Sequence, residues 1–346
     1  MARSRFDVIV VGGGPAGSAC AAFCARAGLS TLLLERAVFP REKVCGDCLN
    51  PGCWEILDRL EVAERVLAQP HARLTGVEFI GIGGRSSRHP LREIAIKRSL
   101  FDDILLRRAI EWGADVRQDA AVTAVESAWK VTAREEVFES PVLVAADGRN
   151  STVAKLAGLL PAAARERIAV QTHLATPARY ENRVALRFLP WGYCGMNDVG
   201  GGRFNLCMVG GASQTASLKQ WAGETFPLSP EQVWRTIAPL SRKPVDCSPR
   251  NGLFLVGDAA RVMEPFTGEG IFYALASGEL AARCIIRRAF ADYKRGHAAL
   301  YGGRLWINRL AKEAVTHPRI GSVALALPGV MRFLTARVVG SPKNST

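Results

Sequence analysis

The feature that most constrains the fold lies in the first 35 residues, which run strand, glycine-rich turn, helix, strand and acid. Residues 6–11 are rich in Val and Ile, as a buried parallel strand is. The turn has G-x-G-x-x-G spacing at Gly12, Gly14 and Gly17, and Pro15 suits the first turn of a helix whose N-terminal amides would face phosphate. Glu35 ends the next strand, where a carboxylate can accept hydrogen bonds from a ribose. The sequence therefore predicts a Rossmann-like unit that binds a dinucleotide.

Two later segments carry short motifs directly after predicted strands. Asp147-Gly148 follows the strand at 142–146, and Gly257-Asp258 follows the strand at 253–256. A P-x-x-G-x-G spacing comes next, at Pro265, Gly268 and Gly270. These residues resemble the Asp-Gly and Gly-Asp motifs of flavoproteins of the para-hydroxybenzoate hydroxylase-like superfamily. The resemblance implies FAD as the cofactor, with Asp258 at its ribityl chain and the helix after Gly270 near the isoalloxazine.

The segment from Lys43 to Cys48 resembles the Lys-x-Cys-Gly-Gly-Gly segment of geranylgeranyl reductases, which saturate isolated C=C bonds of isoprenoid chains. The resemblance covers most of the chain and implies that Cys45 lies close to both the flavin and the substrate bond. Asp47 and Cys48 stand where that family has glycines, and Asp47 adds an acid near the flavin. Arg41 and Lys43 would lower the pKa of the Cys45 thiol.

A second segment of that family departs further from its pattern. Geranylgeranyl reductases carry Tyr-x-Trp-x-Phe-Pro along the lipid tunnel, and the counterpart here is residues 192–197, where Tyr193 matches but the Trp and Phe-Pro do not. Geranylgeranyl itself is therefore a doubtful substrate. The expected catalytic residues are Cys45, Asp47 and Tyr193.

Four interpretations of Cys45, Cys48 and Cys53 stay open: a metal site, a redox disulfide between Cys45 and Cys48, a thiol beside the flavin, and structural burial. No metal site is expected, because no nearby His offers a fourth ligand. Arg98 precedes a predicted helix in which Ser99 would be the N-cap and Asp102 its capping-box partner. By resemblance, Arg98 lies near the cofactor; a surface position is the alternative.

The residues expected to bind the cofactor come from all of these segments. They are Gly12, Gly14, Pro15, Ala16, Gly17, Glu35, Arg36, Arg41, Cys45, Gly46, Arg98, Asp147, Gly148, Gly257, Asp258, Pro265, Gly268, Gly270 and Ile271.

The expected fold class is α/β, a Rossmann-like FAD-binding domain with an inserted antiparallel-sheet (α+β) substrate domain. The cofactor domain is predicted to be discontinuous, and the remaining segments form the substrate domain and a helical tail. The boundaries are 1–73, 92–165 and 245–296 for the FAD domain, 74–91 and 166–244 for the substrate domain, and 297–346 for the tail. Apolar stripes alternate along 183–189 and 203–210, and each would be either plain core or the wall of a substrate tunnel.

The chain is basic, with a net charge of +13, which favours an anionic partner or surface. No nucleic-acid motif is present, so no nucleic-acid partner is expected. The tail, and residues 320–339 in particular, would either contact a membrane surface or pack over the active-site mouth. No secretion signal and no long apolar run is found, so we expect a cytoplasmic protein, peripheral at the membrane if the tail binds there.

The predicted function is that of an FAD-dependent oxidoreductase that reduces or dehydrogenates C=C bonds of an isoprenoid, polyene or other lipid-like substrate, free or bound to a carrier. A flavin-dependent monooxygenase is the first alternative, and a flavoprotein electron carrier to a membrane or protein partner is the second. The sequence holds no second G-x-G-x-x-G unit for a nicotinamide cofactor. NAD(P)H would therefore dock transiently, or a reduced carrier protein would supply the electrons.

Overall fold

The computed structural model describes residues 4–162, 167–240, 242–247, 250–265, 268–303 and 305–324. Its strands are β1 Val8–Val11, β2 Thr31–Leu34, β3 Cys48–Leu49, β4 Ala72–Ile80, β5 Ser86–Ala95, β6 Asp115–Arg117, β7 Val122–Glu126, β8 Lys130–Ala133, β9 Glu136–Glu139, β10 Val142–Ala145, β11 Arg167–Ala175, β12 Arg183–Leu189, β13 Gly192–Asp198, β14 Arg203–Gly211, β15 Arg235–Ile237 and β16 Leu253–Leu255. Its α-helices are α1 Pro15–Arg26, α2 Cys53–Arg59, α3 Ala63–Leu67, α4 Arg98–Glu111, α5 Thr152–Leu156, α6 Thr215–Thr225, α7 Gly270–Ile286, α8 Phe290–Leu300, α9 Leu305–Thr316 and α10 Pro318–Ala324.

A five-stranded parallel sheet in the order β16-β10-β1-β2-β6 forms the cofactor half of the molecule. All four residues of β1 are buried, as the apolar run predicted for a strand covered on both faces. Helix α1 packs on this sheet and also against α7, where a Cβ at Gly278 would lie 2.2 Å from the Ala16 carbonyl oxygen. This arrangement confirms the predicted Rossmann-like domain.

An eight-stranded sheet in the order β15-β11-β14-β13-β12-β4-β5-β3 forms the second half. Strands β4 and β5 form a hairpin, and the alternating stripes at 183–189 and 203–210 lie on β12 and β14. The sheet is mixed and not purely antiparallel as predicted, because β12 pairs with β4 in parallel after the chain has passed through the cofactor half. The third sheet is the antiparallel meander β7-β8-β9.

The two apolar stripes of this sheet pack in different places. Val184, Leu186 and Phe188 of β12 face a cavity between the two large sheets. The stripe of β14 packs on the opposite face, against α6, and consists of Phe204, Leu206 and Met208. The β14 stripe is therefore plain core, and the β12 stripe lines a cavity whose role as a substrate tunnel stays a prediction.

The described part of the tail packs on the eight-stranded sheet. The Ile82 amide donates to Ser322 Oγ at 3.0 Å, and a Cβ at Gly321 would lie 2.8 Å from the Phe188 ring. Leu310 and Ala314 of α9 line the cavity, so this part of the tail covers the cavity as the packing alternative predicted. Most of the stretch 320–339 lies outside the described residues, and membrane contact stays a prediction.

None of the helices that the structure describes is long and apolar enough to cross a bilayer. The predicted domain boundaries also stay a prediction. Strand β4 begins at Ala72 and strand β5 ends at Ala95, so one end of each strand lies in a segment assigned to the cofactor domain.

Candidate active site

A cavity of about 1040 Å³ lies between the parallel sheet and the eight-stranded sheet. It begins at the carboxyl ends of β1, β2, β10 and β16, where ligands of parallel α/β sheets bind. The three predicted catalytic residues and all predicted cofactor residues except Gly17 line it. Segments from five distant parts of the sequence therefore meet at one site, although the role of each residue stays a prediction.

The glycine turn after β1 leaves a backbone cradle open to the cavity. Gly12 has φ +105°, and a Cβ there would lie 2.5 Å from the Ala146 carbonyl oxygen. A Cβ at Gly17 would lie 1.9 Å from the Gly12 carbonyl oxygen, so this residue serves the packing of α1 on the turn. Gly14 is open: apart from its chain neighbours, Arg41 is the only described residue within 4 Å of such a Cβ. The N-terminus of α1 can therefore receive a pyrophosphate.

Glu35 is buried at the end of β2 and is held by two backbone amides. Its Oε2 accepts from the Gly13 N–H at 2.6 Å and its Oε1 from the Ala37 N–H at 2.9 Å. A carboxylate has about four lone-pair sites, so both oxygens can still accept from ribose hydroxyls. The acid is thus fixed beside the turn, as its position in the sequence predicted.

The Asp-Gly and Gly-Asp motifs face each other across the cavity floor. Arg149 Nη2 donates to Asp258 Oδ2 at 2.9 Å, a contact that the sequence did not reveal although Arg149 directly follows Asp147-Gly148. Asp147 Oδ2 accepts from the amides of Thr152 and Val153, at 2.6 and 3.1 Å, and so helps to cap α5. Arg149 Nη1 and Asp147 Oδ1 are buried without a hydrogen-bond partner among the described residues.

Arg98 lies at the start of α4 and is buried. It forms two hydrogen bonds to Asp102, both of 2.7 Å, and Asp102 also accepts from Arg41 at 2.8 Å. The surface alternative for Arg98 is therefore wrong. The N-cap is Lys97 and not Ser99, because α4 begins two residues earlier than predicted, and Asp102 pairs with two arginines in place of a capping box.

Polar side chains of the eight-stranded sheet form hydrogen bonds with the Cys45–Asp47 loop. The Cys45 carbonyl oxygen accepts from Gln171 Nε2 at 2.8 Å and from Asn205 Nδ2 at 2.9 Å. His173 Nε2 lies 3.0 Å from Asp47 Oδ2, and Asp47 has φ +60°. Gln171, His173 and Asn205 were not predicted as site residues. In the sequence they can be recognised only as polar residues inside otherwise apolar strands.

Tyr193 lies in β13 at the far side of the cavity. Its hydroxyl donates to Glu264 Oε1 at 3.3 Å, and Arg167 Nη2 donates to Glu264 Oε2 at 2.6 Å. Glu264 and Arg167 were not predicted as site residues.

Comparison with known proteins identifies the family. A family model of the FAD binding domain matches residues 5–181. The geranylgeranyl diphosphate reductase of Rhodobacter capsulatus is 33% identical over 85% of this chain and 78% of its own length. The chain belongs to the geranylgeranyl reductase family of FAD-dependent oxidoreductases.

The chain is also similar to a second reductase in sequence and to a brominase in structure. The menaquinone reductase of Mycolicibacterium smegmatis is 29% identical over 98% of this chain and 92% of that protein. A triple mutant of the flavin-dependent brominase Bmp2 has the same fold, with a TM-score of 0.79 and 23% identity over 98% of this chain and 96% of that one. The fold is therefore shared by flavoproteins with different chemistry.

The residues present fit FAD. The open Gly14 cradle and Glu35 suit the pyrophosphate and adenosine ribose, and Asp258 suits the ribityl chain. Gly268 has φ +68°, and a Cβ at Gly268 or Gly270 would meet none of the described residues within 4 Å; both glycines line the cavity. The unpartnered Arg149 and Asp147 atoms near Asp258 are polar groups that a bound cofactor could satisfy.

Burial controls the protonation of the Cys45–Asp47 loop. Burial raises the pKa of the Cys45 thiol, and Arg98 opposes the shift most strongly. The predicted lowering by Arg41 and Lys43 is therefore wrong: burial and the Arg98 and Arg41 charges lower the pKa of Lys43 itself to about 8. Burial also raises the pKa of Asp47, with His173 opposing. All nine cysteines are free thiols, so the structure contains no Cys45–Cys48 disulfide.

Proposed function

We propose that this FAD-dependent oxidoreductase reduces C=C bonds of an isoprenoid or other lipid-like chain. The observation that carries the proposal is the apolar wall of the cavity beside the Cys45–Asp47 loop. Its side chains come from β4, β5 and β12 and are Val77, Phe79, Leu91, Val184, Leu186 and Phe188. Such a wall would hold a hydrocarbon chain, and relatives named for geranylgeranyl diphosphate and menaquinone reduction support this substrate class.

When bound, FAD supplies the hydride for the reduction. The apolar wall would exclude water and hold the hydrocarbon chain of the substrate against the Cys45–Asp47 loop. The double bond would then be kept in a reactive orientation. Gln171 and Asn205 fix the Cys45 carbonyl, so that the thiol is presented at a constant position. The raised pKa of Cys45 keeps it a neutral thiol, which suits contact with an alkene better than a thiolate would. NAD(P)H or a reduced carrier protein is the proposed electron source.

The proposal is tested by the products formed. Holoenzyme reduced with dithionite without air and freed of excess reductant would be mixed with geranylgeranyl diphosphate or with menaquinone. The products would be weighed by mass spectrometry after any quinol has been reoxidised to the quinone. We expect pairs of hydrogens to be added, with no oxygen.

The alternatives give other results in this experiment and in its repeat with air admitted. An air-dependent gain of one oxygen would assign the protein to the monooxygenases, and the shared fold with a brominase means that the fold alone does not decide. Flavin that reoxidises only through a copurifying protein, with both lipids unchanged, would indicate the electron carrier.

A further inference from the structure

Glu93 is an acid on the apolar wall of the cavity. It lies on β5 between Leu91 and Ala95, and its partner in the β4–β5 pairing is the buried Leu74. Leu91 and Ala95 are buried in the apolar cluster with Phe79 and Phe188, and Glu93 lines the same cavity. A carboxyl group therefore projects from a surface that otherwise suits hydrocarbon.

Glu93 also differs from the other acids of the cavity in its lack of a partner. Each of the others accepts a hydrogen bond or forms an ion pair, namely Glu35, Glu42, Asp47, Asp147, Asp258 and Glu264. Within the part of the chain that the structure describes, Glu93 has no hydrogen bond and no ion pair. The charged group that acts on its pKa is another acid, Glu269. None of the described residues donates a hydrogen bond or pairs a positive charge with this carboxylate, so the protonated form is favoured.

The protonation of Glu93 follows from this position. Burial, with a smaller contribution from the charge of Glu269, raises its pKa to about 8. The carboxyl is therefore mainly neutral at pH 7 but loses its proton only slightly above that pH, which is the range where an acid catalyst is most effective.

The other proton sources at this wall are less suitable. Asp47 is occupied by His173 at 3.0 Å, and burial raises the thiol pKa of Cys45, Cys48 and Cys53. Glu93 reaches the same region, because β3 pairs with β5 and places Cys48 opposite Ala95. An alkene bound between the Cys45–Asp47 loop and the apolar wall would therefore lie next to the Glu93 carboxyl group.

We propose that Glu93 is the catalytic residue that protonates the double bond; this rests on the reductase function proposed above. The O–H bond of Glu93 breaks and its proton forms a C–H bond at one alkene carbon. A hydride from the reduced flavin forms the C–H bond at the other carbon, so the alkene is reduced by two electrons and the flavin is oxidised by two. The Glu93 carboxylate then takes a proton from water, and dithionite or another hydride or electron donor reduces the flavin again.

The test compares Glu93→Gln with Glu78→Gln as holoenzymes. Glu78 is the matched control, since it lies on the partner strand β4 but pairs with Arg88 and does not line this cavity. The first measurement is anaerobic single turnover with geranylgeranyl diphosphate or menaquinone after dithionite reduction. Glu93→Gln should retain flavin and its reduction but lose roughly 10²- to 10⁴-fold in hydrogen addition, with Glu78→Gln unchanged.

The second measurement needs no substrate. Infrared spectra of the holoenzymes, recorded as the pH is raised through the expected pKa, should show a protonated carboxyl band in the wild type that Glu93→Gln lacks and Glu78→Gln keeps. If the wild type and Glu93→Gln have the same protonated carboxyl band, Glu93 holds no proton at neutral pH and the inference is overturned.

The two proposals fail in different ways. Full-rate hydrogen addition by Glu93→Gln would remove Glu93 from the mechanism and leave the reductase proposal standing. Wild-type enzyme that adds no hydrogen to either lipid would remove the reductase function, and the proton-donor role with it.

Discussion

The two halves of the cavity are built on opposite electrostatic principles. In the cofactor half, polar groups are set in advance: Glu35 is held by two amides, Asp258 by Arg149, and Arg98 by Asp102. In the substrate half, apolar side chains of β4, β5 and β12 surround one unpartnered acid, Glu93. The first half is suited to hold a charged cofactor in a fixed place, and the second to hold a hydrocarbon and keep one proton available.

This contrast teaches where substitutions should act. A change in the cofactor half should alter flavin content before it alters specificity, because its groups are those predicted to bind the dinucleotide. A change in the substrate half should leave the flavin in place and alter lipid binding or proton transfer.

The largest effect on flavin content is expected for Asp258→Ala. Loss of a charge-assisted hydrogen bond to the cofactor is worth about 1.5–3 kcal/mol, so FAD should bind roughly 10- to 100-fold more weakly and the purified protein should lose most of its flavin. Flavin absorbance per protein and FAD titration of the apoprotein measure this. Asp246→Ala, which removes an acid paired with Lys294 outside the cavity, is the control. An Asp258→Ala protein with full flavin occupancy would contradict the assignment.

The halves also differ in how much could be predicted from sequence. The cofactor half follows from local geometry, since Gly12, Gly17 and Glu35 lie in one strand–turn–helix–strand unit, and family resemblance added Asp258. The substrate half depends on long-range strand register: Gln171 contacts Cys45 across 126 residues, and the parallel β4–β12 pairing has no local signal. Glu93 could be found only after the pairing showed which face of β5 it shares.

A smaller effect is expected for Leu186→Ala, which shortens a side chain of the apolar wall. Loss of part of the contact with a hydrocarbon should cost about 1 kcal/mol and raise KM for the lipid roughly fivefold, with flavin content unchanged. Leu156→Ala, the same change at an exposed position of α5, should alter neither quantity. Steady-state kinetics with dithionite or NADPH as the reductant measure the difference. Flavin loss in Leu186→Ala would mean that the two halves are not separable.

The smallest effect is a pH-dependent change in stability from Glu93→Gln. The pKa of Glu93 is raised in the folded protein, so between its ordinary value and about 8 the folded state binds more protons than the unfolded state, and stability falls as the pH rises. Glutamine cannot ionise, so the melting temperature of Glu93→Gln should exceed that of the wild type by more at pH ~8 than at pH ~5. The groups that act on this titration are Glu269 and the thiols of Cys48 and Cys53, and all three are unchanged in the variant. A melting-temperature difference that is equal at both pH values would show that Glu93 has an ordinary pKa, and the substrate half would then be as fully ionised as the cofactor half.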